Sequence, residues 1–173
     1  ARVVFTTGAV GTTHAVTARD TTLLTGTSPN VTPILGPASK YVVTSNSSSP
    51  LPGGLVTITA QLSDIWNNPV ATAGKLVTWS STNGGYFVSP TSPTNGSGAA
   101  TVVFTASTSA GTVHTITATD NTGLTGTSPN ITTVAPVPDA VSLIFPSDGG
   151  LGISPNVVLR WNTGPSATRY QLQ

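Results

Sequence analysis

The sequence has no cysteine, no methionine and no glutamate, so that aspartate supplies all five of its acidic residues. Without cysteine the chain can form neither a disulfide nor a thiolate zinc site. An exported protein that meets oxidants gains from lacking both sulfur-containing residues, so this composition favours export. Charged residues make up only 6% of the chain, against about a quarter in average proteins, so solubility must depend on hydroxyl groups.

The charge and hydropathy pattern excludes two classes of partner. The Lys and Arg residues are scattered and the formal net charge is +1, so no basic stripe exists to neutralise nucleic-acid phosphates. No apolar run approaches the roughly 20 residues that a membrane-spanning helix needs. We expect that, if the protein is secreted, any signal peptide has already been removed from the chain that begins at Ala1.

What the sequence does contain is typical of β-structure. Threonine is abundant and favours pleated strands over helices, while 18 Gly and 14 Pro at scattered positions suit many tight turns. Val, Ile, Leu and Phe are frequent enough to build a core. We therefore predict a folded, all-β chain almost without helix.

A domain-sized internal repeat sets the organisation. The segment GTTHAVTARD at 11–20 recurs as GTVHTITATD at 111–120, and LTGTSPN at 24–30 recurs unchanged at 124–130. The match extends back through 3–6 against 102–105 with a slip of one residue. Because a repeat of this size lets each copy close its own core, it indicates tandem domains.

Between the two copies the sequence alternates with period two. Val56, Ile58, Ala60 and Leu62 share one face of segment 55–63, and polar residues share the other. The same pattern predicts strands at 75–80 with Val77 and Trp79 inward, 100–105 with Val102 and Phe104 inward, and 113–119 with Ile116 and Ala118 inward. Turn signals at 66–69, 83–85 and 95–98 separate these strands, so residues 37–135 are predicted to form one complete β-sandwich.

The order of these motifs resembles a known family. SDIWNNPV at 63–70, VTWS at 77–80, NGSGAATV at 95–102 and AGT at 110–112 resemble the bacterial immunoglobulin-like domains of the invasin and intimin type. The resemblance implies immunoglobulin-like β-sandwiches in tandem, with residues 37–135 as a complete domain and 1–36 as the C-terminal strands of a preceding one. The chain departs from the family by placing Trp66 and Asn67 where small residues and Gly are usual.

The sequence changes in style after residue 136. LIFPSDGG at 143–150, VVLRW at 157–161 and ATRYQL at 167–172 are similar to the opening strands of fibronectin type III-like domains. That resemblance implies that residues 136–173 are the N-terminal strands of such a domain. It also implies that Trp161 packs in its core and that Tyr170 begins its third strand.

No group of residues predicts chemistry. Triad, phosphate-loop and zinc spacings are absent, so we predict no catalytic, cofactor or metal site and no enzyme. His14 and His114 occupy equivalent positions, and we expect each imidazole to bond backbone at a corner of its sandwich. Asp20 and Asp120 end equivalent strands, where a carboxylate commonly accepts N–H bonds of a turn; a calcium site between domains is the alternative reading.

Two aromatic residues and four asparagines are candidates for surface roles. Trp79 and Trp161 lie at inward positions. Trp66 lies in a predicted loop, and Tyr86, next to Phe87, is expected near the surface. These two residues are the candidate ligand-facing aromatics. Asn30, Asn46, Asn95 and Asn130 each begin an Asn-x-Ser/Thr triplet and are candidate glycan acceptors. In a chain this rich in Ser and Thr, such triplets also arise by chance.

These observations predict a structural or interaction protein, with immunoglobulin-like spacers in an extracellular stalk, adhesin or filament of the cell surface. Its partners would be neighbouring domains or identical subunits arranged head to tail, with a surface glycan or host protein as a further candidate. A carbohydrate-binding accessory module of a secreted hydrolase is the main alternative, and a phage virion decoration is another. We expect the incomplete sandwiches at the two ends of the sequence to gain their missing strands either from adjacent subunits or from other parts of a longer chain.

Overall fold

The computed structural model of the chain describes residues 2–6, 10–137, 142–145, 151–152, 156 and 158–161. Strands and turns account for the regular structure of these residues, and no helix occurs among them. None of the described segments is therefore a helix able to cross a membrane. The all-β prediction is confirmed. The chain divides into two compact units, Ala1–Thr133 and Val134–Gln173.

The first unit contains twelve of the described strands. They are β1 Thr17–Arg19, β2 Thr25–Thr27, β3 Lys40–Ser45, β4 Leu55–Ser63, β5 Leu76–Ser81, β6 Tyr86–Phe87, β7 Thr91–Pro93, β8 Ala99–Thr105, β9 Val113–His114, β10 Ile116–Asp120, β11 Thr125–Thr127 and β12 Ile131–Thr132. In the second unit, β13 Leu143–Phe145 pairs antiparallel with β14 Arg160–Trp161. Trp161 is half-buried, and Tyr170 lies outside the described residues.

Two four-stranded antiparallel sheets form a sandwich in the first unit. One has the order β3-β4-β8-β6 and the other the order β11-β10-β5-β7. The first order is that of strands A, B, E and D of an immunoglobulin domain, and β11-β10-β5 corresponds to G, F and C. The immunoglobulin-like sandwich predicted from the alternating segments is confirmed.

The core lies between these two sheets and follows the predicted alternation. Along β4, Val56, Ile58, Ala60 and Leu62 are fully buried, whereas the threonines between them face outward. The remaining predicted inward residues join the same apolar cluster, as do others from both sheets: Tyr41, Val43, Val77, Trp79, Ala100, Val102, Phe104, Ala106, Ile116, Ala118 and Ile131. Large buried side chains contributed from both sheets hold the sandwich together.

Two details of the predicted strands are corrected. Ser63, which alternation places on the outer face, is buried because the chain folds back after β4 and Ser63 bridges Pro69. The strand predicted over 113–119 is broken at Thr115, whose N–H donates to the Thr82 hydroxyl at 2.9 Å. As a result β9 pairs with β12, while β10 pairs with β5 and β11.

The internal repeat forms the same local structure twice. We call residues 11–33 the first hairpin and residues 111–133 the second hairpin. In the first, β1 pairs with β2 so that Ala18 lies opposite Gly26; in the second, β10 pairs with β11 so that Ala118 lies opposite Gly126. The other ladder pairs also differ by 100 residues, as do the bridges from His14 to Val31 and from His114 to Ile131.

One five-residue turn recurs at the ends of strands and sets the direction in which the chain leaves each strand. In each case the first residue is Asp or Asn, and its Oδ1 accepts N–H bonds from the residues two and four positions later. The fourth residue has a positive φ, as in a hairpin turn that closes with a bulge. The four turns begin at Asp20, Asp64, Asn95 and Asp120. The turn-capping role predicted for Asp20 and Asp120 is confirmed.

Candidate functional site

The most developed polar site of the described residues joins the second hairpin to the rest of the sandwich. Asp120 Oδ2 accepts the Tyr41 hydroxyl at 3.2 Å and pairs with Lys75 Nζ at 3.1 Å. The same ammonium donates to the Thr122 hydroxyl at 3.0 Å. The Asp120 carboxylate is thereby shared between its own turn, strand β3 and the residue preceding β5, so it ties together three segments distant in sequence.

The electrostatics of this site keep Asp120 ionised. Burial by itself favours the neutral acid, but hydrogen bonds from the Thr122 hydroxyl and amide, Lys75 and the Leu124 amide outweigh it. Together they lower the pKa of Asp120 from 3.8 to about 2. Burial and the neighbouring Asp120 carboxylate raise the pKa of the Tyr41 hydroxyl above its ordinary value. Both pKa shifts favour an ionised Asp120 carboxylate that accepts a hydrogen bond from a neutral Tyr41 hydroxyl. Such a pair stabilises the fold.

His114 has the backbone-bonding role predicted for it. Its Nε2 lies 3.1 Å from the Ser107 amide that donates to it, and its Nδ1 lies 3.1 Å from the Thr82 carbonyl oxygen. The imidazole is fully buried and meets the Phe104 ring edge-on at 5.1 Å. Because both nitrogens are engaged by backbone, the ring holds two loops in place.

Gly126 allows strand β3 to approach the second hairpin closely. A Cβ at this position would overlap the Tyr41 carbonyl oxygen and lie 2.8 Å from Tyr41 Cβ. Only glycine permits that approach. The Tyr41 hydroxyl reaches Asp120 while the Tyr41 backbone lies against Gly126, so these two contacts fix β3 against the hairpin.

The equivalent positions of the first hairpin lack these contacts. Asp20 Oδ1 makes the same turn bonds, but Oδ2 has no hydrogen-bond or ion-pair partner among the described residues. Apart from its chain neighbours, no atom of the described residues lies within 4 Å of a Cβ placed on Gly26. The buried His14 Nε2 likewise lacks a partner in the described part of the chain. The first hairpin therefore repeats the second without the strands that cover it.

The sequence did not predict the set of contacts formed by Tyr41, Lys75, Asp120 and Gly126. The position of Asp120 at the end of a strand predicts its turn bonds, with a calcium site as the alternative, but it does not predict the hydrogen bond from Tyr41. The only available signal was the repetition of the turn aspartate and the glycine in both copies, at 20 and 26 and at 120 and 126. That signal identifies two repeated positions but not the strand that meets them.

Trp66 lies in the turn that begins at Asp64, and 72% of its surface is exposed. A Cβ on Gly36 would lie 3.0 Å from its ring, and the Gly36 amide donates to Asp64 Oδ2 at 3.2 Å. The buried Asp64 carboxylate also accepts Asn68 Nδ2 at 2.9 Å. This turn thus holds the segment that leads from the first hairpin into the sandwich, and one edge of the Trp66 ring lies over that segment.

Tyr86, the other candidate ligand-facing aromatic, is 65% exposed and borders a groove of about 370 Å³ that Gly53, Gly85 and residues 105–108 also line. Through the β4 and β8 ladders, Tyr86 lies at the Leu55 end of the sheet and Trp66 lies beyond the opposite end. Because β4 has nine residues, the rise per residue of a strand separates these ends by roughly 25 Å. The two aromatics therefore do not form one platform.

The remaining candidate positions lie at the surface. Asn30, Asn46, Asn95 and Asn130 are all exposed. Asn95 is also a turn residue, since its Oδ1 accepts from the Ser97 and Ala99 amides. In the described part of the chain, no three His, Cys, Asp or Glu residues are grouped as metal ligands.

Comparisons with known proteins identify the fold. No protein-family model matches the chain, and no curated protein matches its sequence. Solved structures similar to it include a glycosyl hydrolase family 2 member from Bacteroides cellulosilyticus, at a TM-score of 0.51 and 18% identity. They also include a β-glycosidase from Bacteroides vulgatus, at 0.51 and 12%, and the D00-D0 domain of Intimin, at 0.48 and 24%.

These similarities cover a limited part of the known structures. The first match covers 64% of this chain and 16% of the hydrolase, and the second covers 70% of this chain and 17% of the β-glycosidase. The Intimin match covers 70% of this chain and 64% of that fragment. At such identities the two glycosidase similarities show a shared β-sandwich fold and leave function to be argued from the residues.

Proposed function

We propose that this chain is a structural section of an extracellular or cell-surface protein, in which immunoglobulin-like sandwiches act as non-catalytic spacers. The observation that carries the proposal is the hairpin repeated with the same register 100 residues apart. A unit that repeats its backbone pairing and its turns is suited to building length. In this proposal residues 1–36 close one domain, 37–135 form the next, and 136–173 open a fibronectin type III-like domain.

The junction at Gly36 supports a spacer role. The Gly36 amide donates to the buried Asp64 carboxylate, and Lys40 Nζ donates to the Ile65 carbonyl oxygen at 3.0 Å. These bonds and the Trp66 ring attach the connecting segment to the sandwich that follows it. A connection held in this way transmits orientation from one domain to the next better than a free linker does.

A carbohydrate-binding accessory module is the second candidate, and the exposure of Trp66 and Tyr86 is the observation that favours it. Exposed aromatic faces can stack on sugar rings. Because the two residues lie at opposite ends of the sheet, each could contact a sugar only as a single aromatic ring. The contact of Trp66 with Gly36 also gives that ring a structural purpose.

A glycan array and a polysaccharide pull-down of the full chain separate the two functions. The spacer proposal predicts no specific glycan binding by the unmodified chain. Specific binding that Trp66→Ala or Tyr86→Ala abolishes, while Leu51→Ala at another exposed apolar position leaves it unchanged, would overturn the spacer proposal.

The intact mass of the native material tests how the spacers are connected. A species near 17.4 kDa would indicate separate subunits that complete one another head to tail by strand addition. A much larger species would indicate domains joined within one chain. Glycan attachment at the exposed Asn30, Asn46, Asn95 or Asn130 would appear in the same spectrum as added mass and would support an exported surface.

A further inference from the structure

The inner face of the first hairpin is an apolar surface without cover in the described part of the chain. Leu24 is 73% exposed, and Ala18 and Val31 are exposed as well. At the equivalent positions of the second hairpin, Ala118 and Ile131 are fully buried and Leu124 is packed against the core. Because the two hairpins share register and turns, the difference lies in what covers them.

The second hairpin shows which groups its cover must supply. Strand β3 brings its Tyr41 backbone against Gly126 and its Tyr41 hydroxyl to Asp120 Oδ2. Lys75, just before β5, adds an ammonium to the same oxygen. In the first hairpin, Gly26 has open space where the strand would lie, and Asp20 Oδ2 has no partner among the described residues. Both features are therefore suited to a strand of the same kind.

The segment before the first hairpin indicates that the covering strands lie on its N-terminal side in the sequence. Val3–Phe5 repeats Val102–Phe104 of β8, and Phe5 meets His14 edge-on at 5.5 Å as Phe104 meets His114 at 5.1 Å. A segment that repeats the sequence of β8 thus precedes the first hairpin, and its Phe5 ring lies against His14, although it forms no strand with the described residues. The strands that would pair with it are expected in the same polypeptide.

We infer that the first hairpin is the binding surface for an immunoglobulin-like strand set joined to its N-terminal side, with an edge strand that presents tyrosine and a neighbouring segment that presents lysine. The tyrosine hydroxyl and the ammonium bind Asp20 Oδ2, and the tyrosine's backbone lies against Gly26. This inference rests on the proposed tandem organisation and specifies the residue chemistry of the partner.

The test extends the full chain by a copy of its own residues 37–99, placed before Ala1. Because Ala1 corresponds to Ala100 with the one-residue slip, the junction keeps the spacing of the complete domain. Amide hydrogen exchange is then measured for residues 14–31 and 114–131. We expect exchange in the first hairpin to slow by roughly 100-fold or more in the extended chain and to approach that of the second.

Gly26→Ala is the matched control. In the unextended chain it should leave exchange in the first hairpin unchanged, because the added Cβ meets no atom of the described residues beyond the chain neighbours of Gly26. In the extended chain it should remove the gain in protection, because the added strand can no longer approach. Tyr41→Phe made only in the added copy should remove part of the gain by withdrawing the hydroxyl from Asp20.

The inference would be overturned by unchanged exchange of residues 14–31 on extension, by a gain in protection that Gly26→Ala leaves intact, or by an added segment that itself stays unprotected. Protection already present in the unextended chain, together with a dimeric mass in sedimentation, would show that a second copy covers the hairpin and would also overturn it. Failure of the spacer proposal appears instead as specific glycan binding, so the two failures are distinguishable.

Discussion

The first and second hairpins have the same local structure in two different surroundings. Their ladder pairs, turn bonds and bridges correspond position by position. Ala118 is nevertheless fully buried and Ala18 exposed, and the side-chain contacts of Asp120 beyond its own turn have no counterpart at Asp20 in the described structure. The sequence of the hairpin determines its pairing and turns, whereas its burial depends on the strands around it.

This difference has a thermodynamic consequence. A two-stranded hairpin alone is marginally stable in water, because it buries too little apolar surface to offset the entropy of ordering the chain. The second hairpin shares the stability of the whole sandwich, because its inner residues belong to the common core. Substitutions at equivalent positions should therefore have unequal effects, large in the second hairpin and small in the first.

The largest contrast is expected between Gly126→Ala and Gly26→Ala. A Cβ at 126 overlaps the Tyr41 carbonyl oxygen, so strand β3 must move away, and we expect a loss of about 3 kcal/mol or more in the free energy of unfolding. Gly26→Ala should change it by less than about 0.5 kcal/mol, because the added Cβ has no described residue within 4 Å except its chain neighbours. Urea unfolding followed by tryptophan fluorescence measures both. Equal losses of stability would show that a strand lies against Gly26 as β3 lies against Gly126, and would contradict the difference between the two hairpins.

The next contrast is between His114→Ala and His14→Ala. Removing the buried imidazole at 114 leaves the Ser107 amide and the Thr82 carbonyl without their partner and opens a cavity beside Phe104. We expect a loss of about 3 kcal/mol. His14→Ala should change the same unfolding transition by less than about 1 kcal/mol. A small effect at 114 in equilibrium unfolding would contradict the structural role of this histidine.

The sequence predicted the parts of the fold that depend on near neighbours along the chain. Alternation identified the inward residues Val56 and Trp79, because a strand exposes successive side chains to opposite faces. The turn at Asp120 was predictable for a similar reason, since its bonds reach only four residues ahead. Candidate loop positions such as Trp66 were also correctly expected at the surface.

The remaining features depend on which strands meet, and alternation does not specify that. Tyr41 and Asp120 are 79 residues apart, so their contact follows from the placement of β3 beside the hairpin rather than from a local pattern. The break at Thr115 arises because β9 and β10 join different sheets. The unequal burial of the two hairpins could not be predicted from their nearly identical sequences, since burial is set by distant segments.

Acid unfolding provides a contrast of intermediate size. The pKa of Asp120 is lowered to about 2 in the folded chain, so its ionised form stabilises the fold above pH 4, and this contribution is lost as the pH falls from about 4 through 2. The loss should be about 2 kcal/mol. Asp120→Asn should be less stable near neutral pH and should lose less stability on acidification, whereas Asp20→Asn should follow the unmodified chain. Urea midpoints between pH 2 and 7 test this, and parallel curves for Asp120→Asn and the unmodified chain would contradict it.

The smallest contrast concerns the fourth residue of the two turns, which is Leu23 in the first hairpin and Gly123 in the second. Both have a positive φ, 70° and 87°, in the region where a side chain on Cβ is strained and glycine is not. Gly123→Leu should therefore lower the free energy of unfolding of the sandwich by about 1 kcal/mol. Leu23→Gly should leave that value unchanged while slowing amide exchange at Val16 and Ser28, because it relieves strain only in the first hairpin. Faster exchange at these amides in Leu23→Gly would show that the Leu23 side chain stabilises the hairpin more than its backbone strain destabilises it.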